Sequence, residues 1–540
     1  MKKHTLLILL VLGLSFNVNG QNFTKQDTLR GSITPERAWW DLNYYNLNIK
    51  VQPDNQSIAG YNIIRYKVLE ESNVIQIDLQ EPLKIDAISQ DKKDLDYTSH
   101  GSAHFVHLKK KQIPGEFNEL YVQYSGNPRK AKRAPWDGGF SWNKDENGNH
   151  FVATSCQGLG ASAWWPNKDH MYDEVDSMRI AIDVPKDLVA VANGRLREEY
   201  LYDFGGYKLY DWFVSNPINN YGVNVNIGDY VQFGEKYDGE KGTLDVDYYV
   251  LRDNLEKAKE QFKQTSMMLE AFEHWFGPYP FYEDSFKLVE VPYLGMEHQS
   301  SVTYGNKYQN GYLGRDLSGS GWGLKFDFII IHEGGHEWFA NNITYKDVAD
   351  MWIHEGFTAY SENLYLDYHY GTKAASEYVI GTRANIQNDI PIIGIYNVNK
   401  KGSGDMYYKG ANMLHTLRQL IEDDKLWRQI LRGLNAEFYH QTVTTEQIEN
   451  YISNKTEKDL SAFFNQYLRT TMIPKLEYKL EGKSITHRYV DVVEDFDMPI
   501  RVFTNGKEQW LFPSKEWKTE TLQSEELTLD DNFYILYQKI

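Results

Sequence analysis

The chain has 540 residues and a formal net charge of −18, from 75 acidic and 57 basic side chains. That length exceeds what one hydrophobic core usually serves, so several domains are expected. The acidity argues against a nucleic-acid partner, which needs clustered Lys and Arg, and an aromatic content of 14% does not suit a disordered chain.

Lys2 and Lys3, an apolar run from Leu6 to Leu14 and a small-residue exit near Gly20 predict a signal peptide over residues 1–20. The expected location is periplasmic or secreted. The run is too short to span a bilayer, and no later stretch reaches the roughly 20 apolar residues a membrane helix needs, so no stable membrane insertion is expected. No cysteine follows the run to carry a lipid anchor. Cys156 is the only cysteine, which rules out an internal disulfide, and its plain reading is a small buried apolar residue.

From about Trp39 to Leu251, short β-rich segments alternate with Gly, Asn and Asp: Tyr45 to Val51, Tyr61 to Val68, Met178 to Val184 and Leu244 to Val250. They predict an all-β N-terminal domain over 21–251. At Asn254 the apolar period becomes helical and ends on Gly277, a helix stop. A strand (Ser285 to Val291) follows, then mostly helices to about Thr471, giving a mainly helical second domain over 252–472. From Ile473 short strands return, so residues 473–540 should form a small β-sandwich-like domain. The fold class is multidomain α+β.

The stretch HEGGHEWFANN (His332 to Asn342) places two histidines four residues apart, on one helix face about 40° apart around the axis. Two imidazoles there can reach one ion, and Glu333 completes H-E-x-x-H, in which the glutamate serves the attacking water rather than the metal. A surface pair on an amphipathic helix is the plain alternative. Gly334 and Gly335 each cost the helix about 1 kcal/mol relative to alanine, which suggests close neighbours. Glu355, in the segment DMWIHEGFTAYSE, offers a third ligand, and Glu362 lies two turns further on. A catalytic zinc takes three protein ligands and keeps one position for water. One Zn²⁺ held by His332, His336 and Glu355 is the expected cofactor.

HEGGHEWFANN followed by WIHEGFTAY, with eighteen residues between His336 and Glu355, resembles the aminopeptidase N and leukotriene hydrolase family of zinc peptidases. LGMEHQ (Leu294 to Gln299) is similar to that family's G-A-M-E-N loop, YYKG (Tyr407 to Gly410) to its Y-x-K-G segment, and Thr154 to Asp169 extends the likeness into the β domain. The resemblance implies a thermolysin-like catalytic domain and peptide substrates with a free N-terminus. It assigns Glu333 as general base and Tyr407, not its neighbour Tyr408, as donor to the oxyanion. It assigns Glu297 and Gln157 to the substrate amine, with help from Glu355, the loop residues Gly295 and Met296 to substrate binding, and Tyr293 to the first side-chain pocket. Glu337, Asn341 and Asp350 are candidates to orient the histidine ligands.

Three departures stand out: Leu294 for the first glycine of G-A-M-E-N, His298 for its asparagine, and His354 for the asparagine before Glu355. His298 could add a pH-dependent charge near the amine site. The β-rich C-terminus replaces the extensive helical domain of many relatives, so the cleft is expected to be more open, or closed by an oligomeric partner. A zinc endopeptidase of the same fold and an inactive zinc-binding peptide receptor remain open as alternatives.

Overall fold

The computed structural model describes residues 23–540; the signal peptide read over residues 1–20 lies outside them. Among the described residues no helix is long and apolar enough to cross a membrane.

The N-terminal domain is built on an eight-stranded sheet around the strand Trp40–Gln52. It pairs antiparallel with Ser57–Val68 and parallel with Ser177–Pro185. Strand periodicity sends Tyr45, Leu47, Ile49 and Val51 into the core, where Tyr45 meets the edge of Trp165 at 5.0 Å. A second, four-stranded sheet contains His150–Ser155. That strand delivers Cys156 and Gln157 to the catalytic domain. Cys156 is fully buried, its thiol 3.6 Å from the Tyr221 carbonyl and pushed up by burial.

The catalytic domain begins earlier than the sequence pattern indicates. Tyr230–Gly239 and Gly242–Leu251 form a hairpin whose second strand pairs parallel with Phe286–Glu290, in a five-stranded sheet ending on the edge strand Gly295–Met296. The inward residues Leu244, Val246, Tyr248 and Val250 pack in the catalytic core. The boundary expected at 251 therefore moves to about residue 229, because sheet pairing, which the period of a strand does not encode, assigns the hairpin to the second domain.

Four helices carry the site. The expected single helix after Asn254 breaks at Phe262 and Lys263, and its second part is α1 (Gln264–Phe276), closed by Gly277 at φ 96°. Helix α2 (Phe328–Gly335) is wholly buried and starts where the Asp327 carboxylate accepts the Ile329 N–H at 3.1 Å. Helix α3 (Trp352–Tyr370) lies against α2 and against α4 (Tyr408–Ile421). A Cβ at Gly410 would sit 3.0 Å from the Gly356 Cα. This glycine contact lets α3 and α4 touch backbone to backbone and brings Tyr407, at the start of α4, near Glu355.

The C-terminal strands form a four-stranded and a three-stranded sheet. They dock on α4 through Tyr534 N–H to Thr416 Oγ1 at 2.9 Å and His415 Nε2 to Asn532 Oδ1 at 2.9 Å.

Candidate active site

Helix α2 places His332 and His336 one turn apart, and α3 brings Glu355 across from them. Their ligand atoms lie within 4.8 Å of one another, and all three side chains are buried. The outer nitrogens are already committed. His332 Nδ1–H donates to Glu362 Oε1 at 2.7 Å, and His336 Nδ1–H to the Phe339 carbonyl at 3.0 Å, beside Thr358 Oγ1 at 3.0 Å. These partners fix the tautomers, so both Nε2 atoms present lone pairs inward. Glu355 Oε2 stands 3.3 Å from His336 Nε2 and 3.8 Å from His332 Nε2, buried without a hydrogen-bond partner. Burial raises the Glu355 carboxyl, but the two imidazoles overcome it and hold the group well below its ordinary range. Three ligand atoms converge on one buried point where the carboxylates favour positive charge on both imidazoles; a cation would take the place of those protons, and the N₂O set with a fourth side open suits catalytic zinc.

Glu333, between the histidines on α2, turns into the cleft instead. Burial pushes its carboxyl up, with the imidazoles opposing. The cleft has a volume of about 690 Å³ and is walled by the loop Leu294 to Glu297, by α2, and by Tyr407 and Tyr408. Tyr407 stacks on His332 at 5.9 Å between ring centroids. One end is closed by an acidic cluster: Gln157 Nε2 donates to Glu297 Oε1 at 2.6 Å and to Glu355 Oε1 at 3.1 Å, tying the β domain to the metal ligand. Burial pushes Glu297 up to about 7.

Comparison with known proteins gives the family. The family model for the peptidase M1 N-terminal domain matches residues 42–221, and that for the peptidase family M1 domain matches residues 260–467. This chain belongs to the M1 family of zinc metallopeptidases. It is 21% identical to a leukotriene A-4 hydrolase of Xenopus laevis over 83% of its own length and 74% of that protein. It is 20% identical to a probable aminopeptidase 1 of Sulfurisphaera tokodaii, over 88% of its own length but only 60% of that protein. An M1 zinc metallopeptidase of Deinococcus radiodurans has a similar fold, with a TM-score of 0.69, 20% identity, and coverage of 81% of this chain and 95% of that one. Zinc is the cofactor of the family.

Of the residues read from the sequence of this M1 peptidase, Gln157, Gly295, Met296, Glu297, His332, Glu333, His336, Glu355 and Tyr407 all line the cleft. Tyr293 does not. It is buried behind the loop with its hydroxyl donating to the Thr154 carbonyl at 2.8 Å, which makes it a support for the loop. His298 is buried too, and burial pushes it down to about 3, so it stays neutral and adds no charge near the amine site.

The residues expected to orient the histidines do other work. Glu337 accepts from Tyr279 OH and Ser300 N–H, each at 2.9 Å, and Asn341 Nδ2 donates to the Glu297 carbonyl at 2.9 Å, so both secure the loop. Asp350 accepts from Tyr396 OH and Thr445 Oγ1, each at 2.6 Å. The histidines are held instead by Glu362 and the Phe339 carbonyl, with Thr358 beside the latter. The signal for Glu362 was its place seven residues after Glu355, on the same face of α3. Thr358 left none. Among the described residues, those lining the cleft run from Pro135 to Tyr408, so the C-terminal strands do not cover it.

The two glycines of α2 differ. A Cβ at Gly334 would meet the Met268 methyl at 2.7 Å, the far end of a flexible chain, whereas one at Gly335 would meet Ser361 Oγ at 2.5 Å and Thr358 Cγ2 at 3.3 Å. Ser361 Oγ already donates to the Thr358 carbonyl, and Thr358 stands against His336. Gly334→Ala should change stability by less than about 1 kcal/mol, because Met268 can move and alanine favours the helix. Gly335→Ala should cost about 1–3 kcal/mol and weaken zinc retention. Denaturant midpoints and zinc content after dialysis check both, and equal behaviour of the two variants would contradict the assignment.

Proposed function

We propose that this M1 peptidase is an aminopeptidase that removes residues from the free N-termini of peptides. The observation that carries this reading is the acidic end of the cleft, where Glu297 and Glu355 are joined by Gln157. A protonated α-amine needs anionic or carbonyl partners, and a charge-assisted hydrogen bond contributes about 1.5–3 kcal/mol. Behind Glu297 stand the buried Tyr221 and His354, so a chain continuing past the amine would meet packed protein. An endopeptidase requires passage there.

Zinc bound by His332, His336 and Glu355 would supply an acidified water and polarise the scissile carbonyl. Glu333 is placed to accept the proton of a water that adds to the carbonyl carbon and to return it to the departing nitrogen as the C–N bond breaks. Tyr407 donates its O–H to the carbonyl oxygen as that atom gains charge. Burial and the nearby Glu355 push the Tyr407 hydroxyl well up, so it stays protonated and able to donate. Gly295 and Met296 form the edge strand of the five-stranded sheet at the cleft wall, and their backbone groups can pair with an extended substrate. An exported location, from the pattern of residues 2–20, belongs to the same proposal.

The test uses one peptide with its N-terminus free or acetylated, followed by mass spectrometry. The free peptide should lose residues stepwise and the acetylated one should stay intact; internal cleavage of the acetylated peptide would establish an endopeptidase instead.

A further inference from the structure

His354 stands where the family pattern carries asparagine, one residue before a zinc ligand, and no step of the proposed reaction uses it. It is fully buried. The backbone N–H of Tyr345 donates to His354 Nε2 at 2.9 Å, and the Tyr345 ring lies 4.2 Å from the imidazole. A nitrogen that accepts a backbone N–H carries no proton, so the ring is neutral and its one proton is on Nδ1. That atom faces Tyr221 OH at 3.4 Å. With His354 donating, the tyrosine's own proton turns to its other partner, Glu297 Oε1, at 3.1 Å.

The direction of the whole chain therefore follows from a peptide N–H that cannot reverse. Tyr221 and Gln157 converge on Oε1, and Asn341 holds the Glu297 backbone carbonyl. Oε2 is the oxygen left to receive an ammonium.

We propose that His354 and Tyr221 are positioning residues for substrate recognition: the one-way chain from Tyr345 N–H through His354 and Tyr221 to Glu297 orients that carboxylate toward the α-amine of the peptide. The inference rests on the aminopeptidase reading. It also gives the departure at 354 a purpose, since glutamine could reproduce both the acceptor and the donor at similar reach while an aliphatic side chain offers neither.

The experiment measures kcat and KM of the full-length, zinc-loaded enzyme on an alanyl chromogenic anilide, together with zinc content and thermal midpoint. Tyr221→Phe removes a single oxygen and His354→Leu removes both polar atoms. Each should raise KM about tenfold with kcat within a factor of about two to three and zinc content unchanged. His354→Gln should recover most of the loss. Glu297→Gln, run in parallel, separates the two readings. If it leaves KM unchanged, the amine reading itself fails. If it raises KM while Tyr221→Phe and His354→Leu do not, the positioning proposal alone is overturned. His354→Gln as impaired as His354→Leu, with both still folded and metallated, also overturns it.

Discussion

Replacing Glu333 with glutamine or alanine should lower kcat/KM by roughly a thousandfold and leave zinc bound. The proposed metal donors are His332, His336 and Glu355, and Glu333 is outside that set although it sits between the two histidines in sequence. Its carboxylate reaches the same space: one of its oxygens lies within 4.8 Å of a Glu297 carboxylate oxygen and a ring nitrogen of His336. The group is buried enough to push its proton affinity up, yet two imidazoles restrain that rise. A base placed this way can take the proton of the attacking water and give it back to the leaving nitrogen. Glutamine keeps the shape and removes the proton acceptor, so the chemistry should fail while the fold, the metal and KM stay close to those of the parent. Initial rates on an aminoacyl chromogenic substrate, paired with metal analysis of the same sample, check this. Activity within tenfold of the parent would remove Glu333 from the mechanism.

Replacing Glu355 with alanine should abolish both zinc and activity. Glu355 is the only oxygen donor of the set and the only member on α3. Without it the two Nε2 atoms face a neutral void, and zinc affinity should fall by several orders of magnitude. The same side chain accepts from Gln157, so its loss also releases the β domain's contact with the metal site. Chelation of the parent enzyme by phenanthroline should give the same loss, reversed by added zinc, whereas Glu355→Ala should not recover at the same zinc concentration. Metal analysis after dialysis is the direct check. Stoichiometric zinc in Glu355→Ala would mean that the second donor group, Glu297, Glu333 and His336, holds the ion instead.

Much of this was legible in the chain because periodic structure makes spacing geometrical. A step of four from His332 to His336 defines one helix face, and a step of seven from Glu355 to Glu362 defines another. Alternation in Tyr45, Leu47, Ile49 and Val51 shows a half-buried strand before any sheet is known. Where the chain was misread, the deciding neighbour came from another element. The hairpin 230–251 reads as strand either way, and pairing with Phe286–Glu290 assigns it to the catalytic domain. Tyr293 sits in the right loop, yet the Thr154 carbonyl of the other domain takes its hydroxyl.

The family and the candidate ligand set His332, His336 and Glu355, with Glu333 beside it, were legible in the chain because they lie in short motifs whose spacing is set by helix geometry. Their surroundings come from contacts between distant segments. Gln157 meets Glu355 across 198 residues of chain, Tyr221 meets Glu297 across 76, and Gly335 is pressed against Ser361 of a different helix. Spacing fixes which side chains share a face of one element. Which face another element covers depends on packing and pairing between segments far apart, and no local period carries that information.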